Sequence, residues 1–519
     1  MTKLPLLSLL TLIPLLGGVV VVSVGERRAA IARRLALAVA GITLLLAATL
    51  AARFEPGSGE LQFVEKVRWI PALAVDYHLG VDGLGLLLIL LTTLLVPFAM
   101  LAPGGPPHRA PLYRALMLFL EAGLLGTFTA LNFFHWFLFW ELSLIPAFFL
   151  IRLWGGTAGA SAATQFFIYT LAGSVTMLLA FLAIFLAVGK FDFLELAELG
   201  RADRLTAHFN VNFGWYALPA ETLTRLAFAG VFLGLAVKVP VMPFHTWLPA
   251  TYAEAPTGVT MLLTGAMSKM GVYGFLRILV PIFPEQIRAL QAPLLGLVVF
   301  TILFSAATAF AQRDLKRMLA YSSINHLGYC LLGLLAAASF AAPEARPTTE
   351  QAAALNGVLL QMLNHGLTAA TLFACVGWLE QRSGGRRDLY DFGGLRRATP
   401  VFAGLMGIAL FSSLGLPGLN GFVGEFLIFK GTFALAPWAA AAAVPGLLLT
   451  AVFLLTLMQR VFHGPLEPRW TALPDLTWRE RLALAPAVAL MFALGLWPQL
   501  VLTFTNATVV SLAEAWRTF

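Results

Sequence analysis

Charge is scarce in this chain of 519 residues. Asp, Glu, Lys and Arg make up 12% of it, against 59% hydrophobic residues, whereas soluble domains carry about 25% charged residues. That shortage excludes a water-soluble fold of this length, because the apolar side chains could not all be hidden from water. Cysteine is also nearly absent. Cys330 and Cys375 both lie inside apolar runs, so they suggest packing and neither a disulfide framework nor a metal site. The chain has no Walker A sequence, no GxGxxG after a strand and no CxxC pair. It therefore shows no means of using ATP, binding a nicotinamide or passing electrons. Lysine is rare too, at seven residues against 27 arginines. The net charge of +8 does not point to nucleic acid, since the arginines fall in short loops between apolar runs.

Those runs dominate the chain. A span of about 20 apolar residues crosses a bilayer core, and about fourteen such runs follow one another, from one centred on Leu12 to one centred on Ala489. The first, Leu4 to about Val24, is longer than a signal-peptide core and precedes no small-residue cleavage site, so it reads as a membrane helix. The run around Phe411 is interrupted by Leu416-Pro417-Gly418-Leu419-Asn420-Gly421 and counts as one broken helix. The whole of 1–519 reads as a single all-α polytopic membrane domain, with N-terminal helices in 4–110 and a last helix in 480–505. Odd-numbered loops hold 19 Lys and Arg, against 12 in the even-numbered loops and termini. The positive-inside rule then places the odd loops in the cytoplasm and both termini outside.

An ionisable side chain inside such a helix costs a few kcal/mol and faces a cavity or a partner. Glu141, in Phe139-Trp140-Glu141-Leu142-Ser143, lies about 14 Å into its helix, too deep to snorkel. Lys238 precedes Pro240 and Pro243, which predicts a kink or unwinding of the kind that lines ion sites. Lys269 lies roughly 20 Å past the start of its helix. Lys238, Lys269 and Lys430 fall in apolar runs. Lysine suits proton transfer there because it can shed its proton, whereas arginine stays charged. His326 and His365 sit near the middle of apolar helices among polar neighbours, and imidazole can take a proton on one nitrogen and give it from the other. Glu425 follows the 416–421 break. Glu121 is a further buried candidate, and His245 and Glu254 are weaker ones, expected in a loop or at the interface. Each of these side chains could instead be a hydrogen-bonded structural residue. Their order along the chain suggests a proton relay.

Helices four to eight (111–282) and nine to thirteen (287–462) form two five-helix units, each with its fourth helix interrupted. An odd number of helices per unit predicts inverted repeats.

Several segments carry a more specific signal: Phe139-Trp140-Glu141-Leu142-Ser143-Leu144-Ile145-Pro146, Val237-Lys238-Val239-Pro240-Val241-Met242-Pro243-Phe244-His245-Thr246-Trp247-Leu248-Pro249, Glu254-Ala255-Pro256-Thr257, Arg313-Asp314-Leu315-Lys316-Arg317 and Leu79-Gly80-Val81-Asp82-Gly83. Together they resemble the antiporter-like membrane subunits of respiratory complex I over nearly the whole chain. The resemblance implies the fourteen-helix fold with two inverted repeats, in a bacterial inner membrane. It implies a functional pair at Glu141 and Lys238, and a central axis through Lys269, His326 and His365. Most relatives carry a lysine where Glu425 stands; the departure is similar to the M-type member of the family. Flavin, iron–sulfur clusters and quinone would belong to partner subunits, with no cofactor in this chain, and neighbouring antiporter-like subunits would be its partners in the bilayer. The rival reading is a subunit of a multi-subunit Na+/H+ antiporter, or of a related membrane-bound hydrogenase or plastoquinone-linked complex.

Overall fold

Every long apolar run is helical in the computed structural model, which describes residues 4–73, 75–106, 108–209, 211, 212, 217–338 and 348–517. Hydrocarbon offers no partner for backbone N–H and C=O groups, so a spanning segment must pair them internally. In chain order the helices are α1 (Leu6–Ser23), α2 (Ala29–Arg53), α3 (Gly83–Met100), α4 (Ala110–Thr129), α5 (Phe133–Trp154), α6 (Gly159–Val188), α7 (Phe193–Arg201), α8 (Ala220–Lys238) and α9 (Trp247–Glu254). Next come α10 (residues 257–282), α11 (Pro284–Phe310), α12 (Leu315–Ala337), α13 (Thr348–Arg382), α14 (Pro400–Ser413), α15 (Asn420–Leu435), α16 (Pro437–Phe462), α17 (Trp478–Leu496) and α18 (Gln499–Arg517). Among the described residues, eleven helices are long and apolar enough to cross a membrane, or twelve when α17 and α18, bent by 64° at their junction, form one span. The other two runs counted in the sequence, around Ala266 and Phe411, lie in α10 and in the α14–α15 pair. α10 is interrupted by two π-helical segments, Leu263–Met267 and Phe275–Leu279, and α14–α15 by the expected break.

The chain is not purely helical. Two strands, β1 (Gln62–Ile70) and β2 (Val75–Val81), form an antiparallel hairpin between α2 and α3, and Val211–Asn212 pairs with Ala217–Leu218. The hairpin is pinned to the helices where Leu131 N donates to His78 O and Phe193 N donates to Leu131 O, both 2.9 Å. Side-chain caps set several helix starts. Asp82 accepts from Gly85 N at 3.1 Å, Asn132 from Phe134 N at 3.0 Å, and Asp314 from Arg317 N at 2.9 Å, each satisfying a donor with no partner within its helix.

Burial ranks the helices. In α12 and α13, 94% of the spanning residues are buried, against 28% in the α2 span and 33% in α6 and α16. α12 and α13 are therefore the centre of the bundle, and the peripheral helices present their apolar faces outward.

Candidate functional site

Both interruptions place a charged side chain inside the bundle. α8 ends at Lys238, and α9 begins at Trp247. Pro240 has no N–H for the Ala236 carbonyl, and Val241 N donates to it instead at 2.9 Å, which leaves the Val237 carbonyl without its usual N–H. Trp247 Nε1 donates to it instead, at 3.0 Å. Lys238 is 3% exposed, and its ammonium lies 4.8 Å from the centre of the Trp140 ring, an attraction of about 2 kcal/mol when desolvated. Trp140 is itself held by donating from Nε1 to Ser174 Oγ at 3.0 Å. Glu141, the next residue, is half-buried, and its Oε1 has no hydrogen-bond partner. Glu141 and Lys238 attract one another electrostatically, without a direct salt bridge among the described residues.

The second group sits on the central helices. Lys269 follows the first π-helical segment of α10. Such a segment disturbs the i→i−4 pairing and is frequent at functional sites. Here the Thr264 carbonyl accepts from Lys269 Nζ at 2.5 Å and from Ser268 Oγ at 3.0 Å. Lys269 Nζ also lies 2.8 Å from His365 Nδ1 on α13. A protonated lysine can only donate, so that contact makes His365 Nδ1 the acceptor. The His365 and His326 rings are 5.2 Å apart, centre to centre. His326 Nδ1 is 3.0 Å from Glu425 Oε1, and its Nε2 is 3.2 Å from Ser413 Oγ.

Gln361 closes this group. Its Nε2 donates to Glu425 Oε1 at 3.1 Å and lies 3.3 Å from His326 Nδ1. An amide carries two N–H hydrogens, so Gln361 can serve Glu425 and His326 together. When His326 Nδ1 bears a proton, it donates to Glu425; when it does not, it accepts from Gln361. The contacts therefore suit both forms of the imidazole. Backbone shape brings Glu425 here. Gly415, at φ +80°, lies in the break between α14 and α15, and a Cβ there would stand 2.9 Å from Glu425 Oε2.

The structure thus brings Lys269, His365, His326 and Glu425 into one buried line and gathers Glu141 and Lys238 beside Trp140. Among the described residues no hydrogen bond joins the two groups. The end of α8 nevertheless packs directly on α10, where a Cβ on Gly271 would lie 3.0 Å from Val239 N. Glu121, on α4, is fully buried, and among the described residues neither of its carboxyl oxygens has a hydrogen-bond partner.

Other expectations need correction. His245 does lie in a loop, between α8 and α9, but buried there, whereas Glu254 ends α9 itself; each is only 8% exposed. Lys430, counted among the lysines of apolar runs, is 46% exposed in its side chain and pairs with Glu350 at 2.9 Å. Its position on α15 faces away from Glu425. Gln361 and Ser413 were missed. Their polarity inside an apolar run was the available signal, but a lone amide or hydroxyl in a helix has many bland uses.

At one end of the bundle a polar cluster surrounds the hairpin. His78 Nδ1 lies 2.6 Å from Asp192 Oδ2, and Lys66 reaches Asp76 at 3.5 Å and Asp192 at 3.8 Å. Burial works to raise the Asp192 carboxyl, but the His78 contact and the N–H groups of Leu194 and Glu195 hold it below the usual aspartate range.

Comparison with known proteins places this arrangement. Residues 130–450 match the family described as NADH:quinone oxidoreductase/Mrp antiporter, TM. The chain is 36% identical over 515 residues to NADH-quinone oxidoreductase subunit M of Rhodobacter capsulatus, covering 98% of this chain and 96% of that one. Its fold is similar to a chain in respiratory complex I from Thermus thermophilus with bound NADH, with TM-score 0.82, 28% identity, and 98% and 99% of the two chains covered. It also matches the fold of a chain of the Mrp complex from Dietzia sp. DQ12-45-1b, with TM-score 0.83, 23% identity and full coverage of both.

Proposed function

Because the chain belongs to the NADH:quinone oxidoreductase/Mrp antiporter family of membrane subunits, we propose that it is the M-type proton-translocating subunit of a respiratory NADH–quinone oxidoreductase. The observation that carries this reading is the buried line Lys269–His365–His326–Glu425, which ends in a carboxyl group and has proton donors and acceptors in contact at 2.8 Å and 3.0 Å. Glu141 modulates Lys238, Lys238 exchanges a proton with one side of the membrane, and the proton passes by way of Lys269 and the two histidines to Glu425. The gap between Lys238 and Lys269 requires a bridging water or a side-chain movement.

Nothing in this chain supplies the energy, so quinone chemistry elsewhere in the complex alters the electrostatics along the line. Flavin, iron–sulfur clusters and quinone belong to partner subunits, and neighbouring antiporter-like subunits pack beside this one. The chain crosses a bacterial inner membrane fourteen times, with both termini outside. Residues 111–282 and 287–462 are its two inverted repeats.

The test is proton pumping by membranes in which the assembled complex carries Glu141→Ala. Pumping should be largely lost; normal pumping would refute the proposal. Copurification with flavin and iron–sulfur subunits separates this reading from a subunit of a multi-subunit Na+/H+ antiporter, which would lack them.

A further inference from the structure

The half-helix α9 is held at both ends, and the hold at its far end has no part in the proton line. At its start, Trp247 caps the Val237 carbonyl beside Lys238. At its other end, Arg387, in the link between α13 and α14, donates from one terminal nitrogen to the Ala253 carbonyl at 2.6 Å. A carbonyl in the last turn of a helix has no partner within it, and a cation there is favoured by the helix dipole. The same guanidinium lies 3.5 Å from Glu254, 3.1 Å from Asp314 and 3.8 Å from Glu380. Glu380 also takes Lys316, which is 4% exposed, at 2.6 Å.

Glu254 faces two ways. Its other carboxyl oxygen accepts from Ala158 N at 3.0 Å, and its backbone carbonyl accepts from Gly156 N at 2.8 Å. The end of α9 is therefore fastened to the α5–α6 link on one side. On the other, Arg387 fastens it to the start of α12 and the end of α13, the helices that carry His326 and His365. The Arg387 side chain thus ties α9 to the start of α12 and the end of α13, and Glu254 extends the junction to the α5–α6 link. A guanidinium suits this junction, because its fixed fork of N–H groups can serve several oxygens at once.

We propose that Arg387 is a positioning residue for proton transfer at Lys238. It sets the register of α9 against α12 and α13, and α9, a rod of about 12 Å, carries that register to Trp247 and the carbonyl beside Lys238. This rests on the proton-translocating reading above. Loosening the junction lets Trp247 leave Val237 and changes the surroundings of the Lys238 amine, although Arg387 touches no proton-carrying group.

The experiment uses membranes containing the whole complex with Arg387→Met, Arg387→Lys, Glu254→Gln, Trp247→Phe and the Arg387→Met/Trp247→Phe double variant. NADH oxidation by a soluble acceptor counts assembled complexes, and the readout is protons moved per NADH oxidised with quinone. Arg387→Met should lower that ratio roughly three- to tenfold. Lysine should restore part of it. Adding Trp247→Phe should cost little more, because both changes break one chain of contacts. If Arg387→Met fails to assemble, Glu254→Gln, which weakens the same junction, carries the same expectation. An unchanged ratio per assembled complex, in Arg387→Met or in that substitute, would mean the junction only braces the fold and would overturn the proposal. Glu141→Ala, measured alongside, separates the failures: if it too pumps normally, the functional reading has failed; if it alone is inactive, only the role of Arg387 has.

Discussion

Replacing a glycine that carries no chemistry should disable the proton line as surely as replacing a charge. A Cβ built on Gly424 would stand 2.8 Å from Gln361 Oε1, 3.0 Å from Gln361 N and 3.1 Å from Gln361 Cα. Carbon contacts are comfortable at about 3.5–4.0 Å, and two of these three neighbours are backbone atoms of α13 that cannot swing aside. Gly424→Ala must therefore push α15 away from α13 by about 0.5 Å, at the ~1–3 kcal/mol typical of overpacking. The same movement stretches the Gln361–Glu425 hydrogen bond, now 3.1 Å, beyond the limit of a useful one. A hydrogen bond to a charged group contributes about 1.5–3 kcal/mol, and each 1.4 kcal/mol is about tenfold in an equilibrium. Proton translocation per assembled complex should fall by about tenfold, although every ionisable residue remains. The assay is acidification of inverted vesicles during NADH oxidation, normalised to complex content. Gly404→Ala, on α14 where an added Cβ meets nothing within 4 Å, is the control and should pump normally. Full pumping by Gly424→Ala would refute the claim that Gln361 joins His326 to Glu425 in the working line.

Lys238→Arg keeps the charge over Trp140 but cannot release a proton, so pumping should be lost in complexes that still assemble; retention would show that only the charge matters. Glu425→Lys asks whether the sign of that group matters: pumping should fall if a carboxyl is required beside His326 and survive if any ionisable group suffices. Asp192 sets a pH dependence at the hairpin. Its carboxyl is held below the ordinary value, so its contribution to stability is complete above the unfolded pKa of about 3.9 and fades as the pH falls through the lower folded value. Protease resistance of the hairpin should therefore drop only in acid in the natural protein, while Asp192→Asn should lose about 1–2 kcal/mol at neutral pH and most of that acid dependence.

Much of this protein was legible in its residues, because the bilayer imposes harsh and simple rules. Hydrocarbon length makes spans visible as apolar runs, and the energetic penalty on buried charge makes Glu141, Lys238, Lys269 and Glu425 conspicuous. Proline and glycine marked both helix breaks, since each disrupts regular pairing in a known way. The hairpin at Gln62–Val81 went unread because it lies among loop-like, charged residues with no bilayer rule to expose it. Lys430 misled because an apolar run does not say which face of its helix is buried.

By itself, then, the sequence determined the membrane class, the breaks and the candidate carriers, all of which follow from local composition and spacing. Only the tertiary structure decided who meets whom. His365 and Lys269 are 96 residues apart yet 2.8 Å in contact, and Gln361 became part of the line only when α15 packed on α13. Such contacts depend on helix rotation and on the close approach of backbones to within ångströms, which no pattern along one chain encodes in readable form. The same reason hid Arg387, whose surface-like loop position gave no hint that it reaches α9, α12 and α13 at one junction.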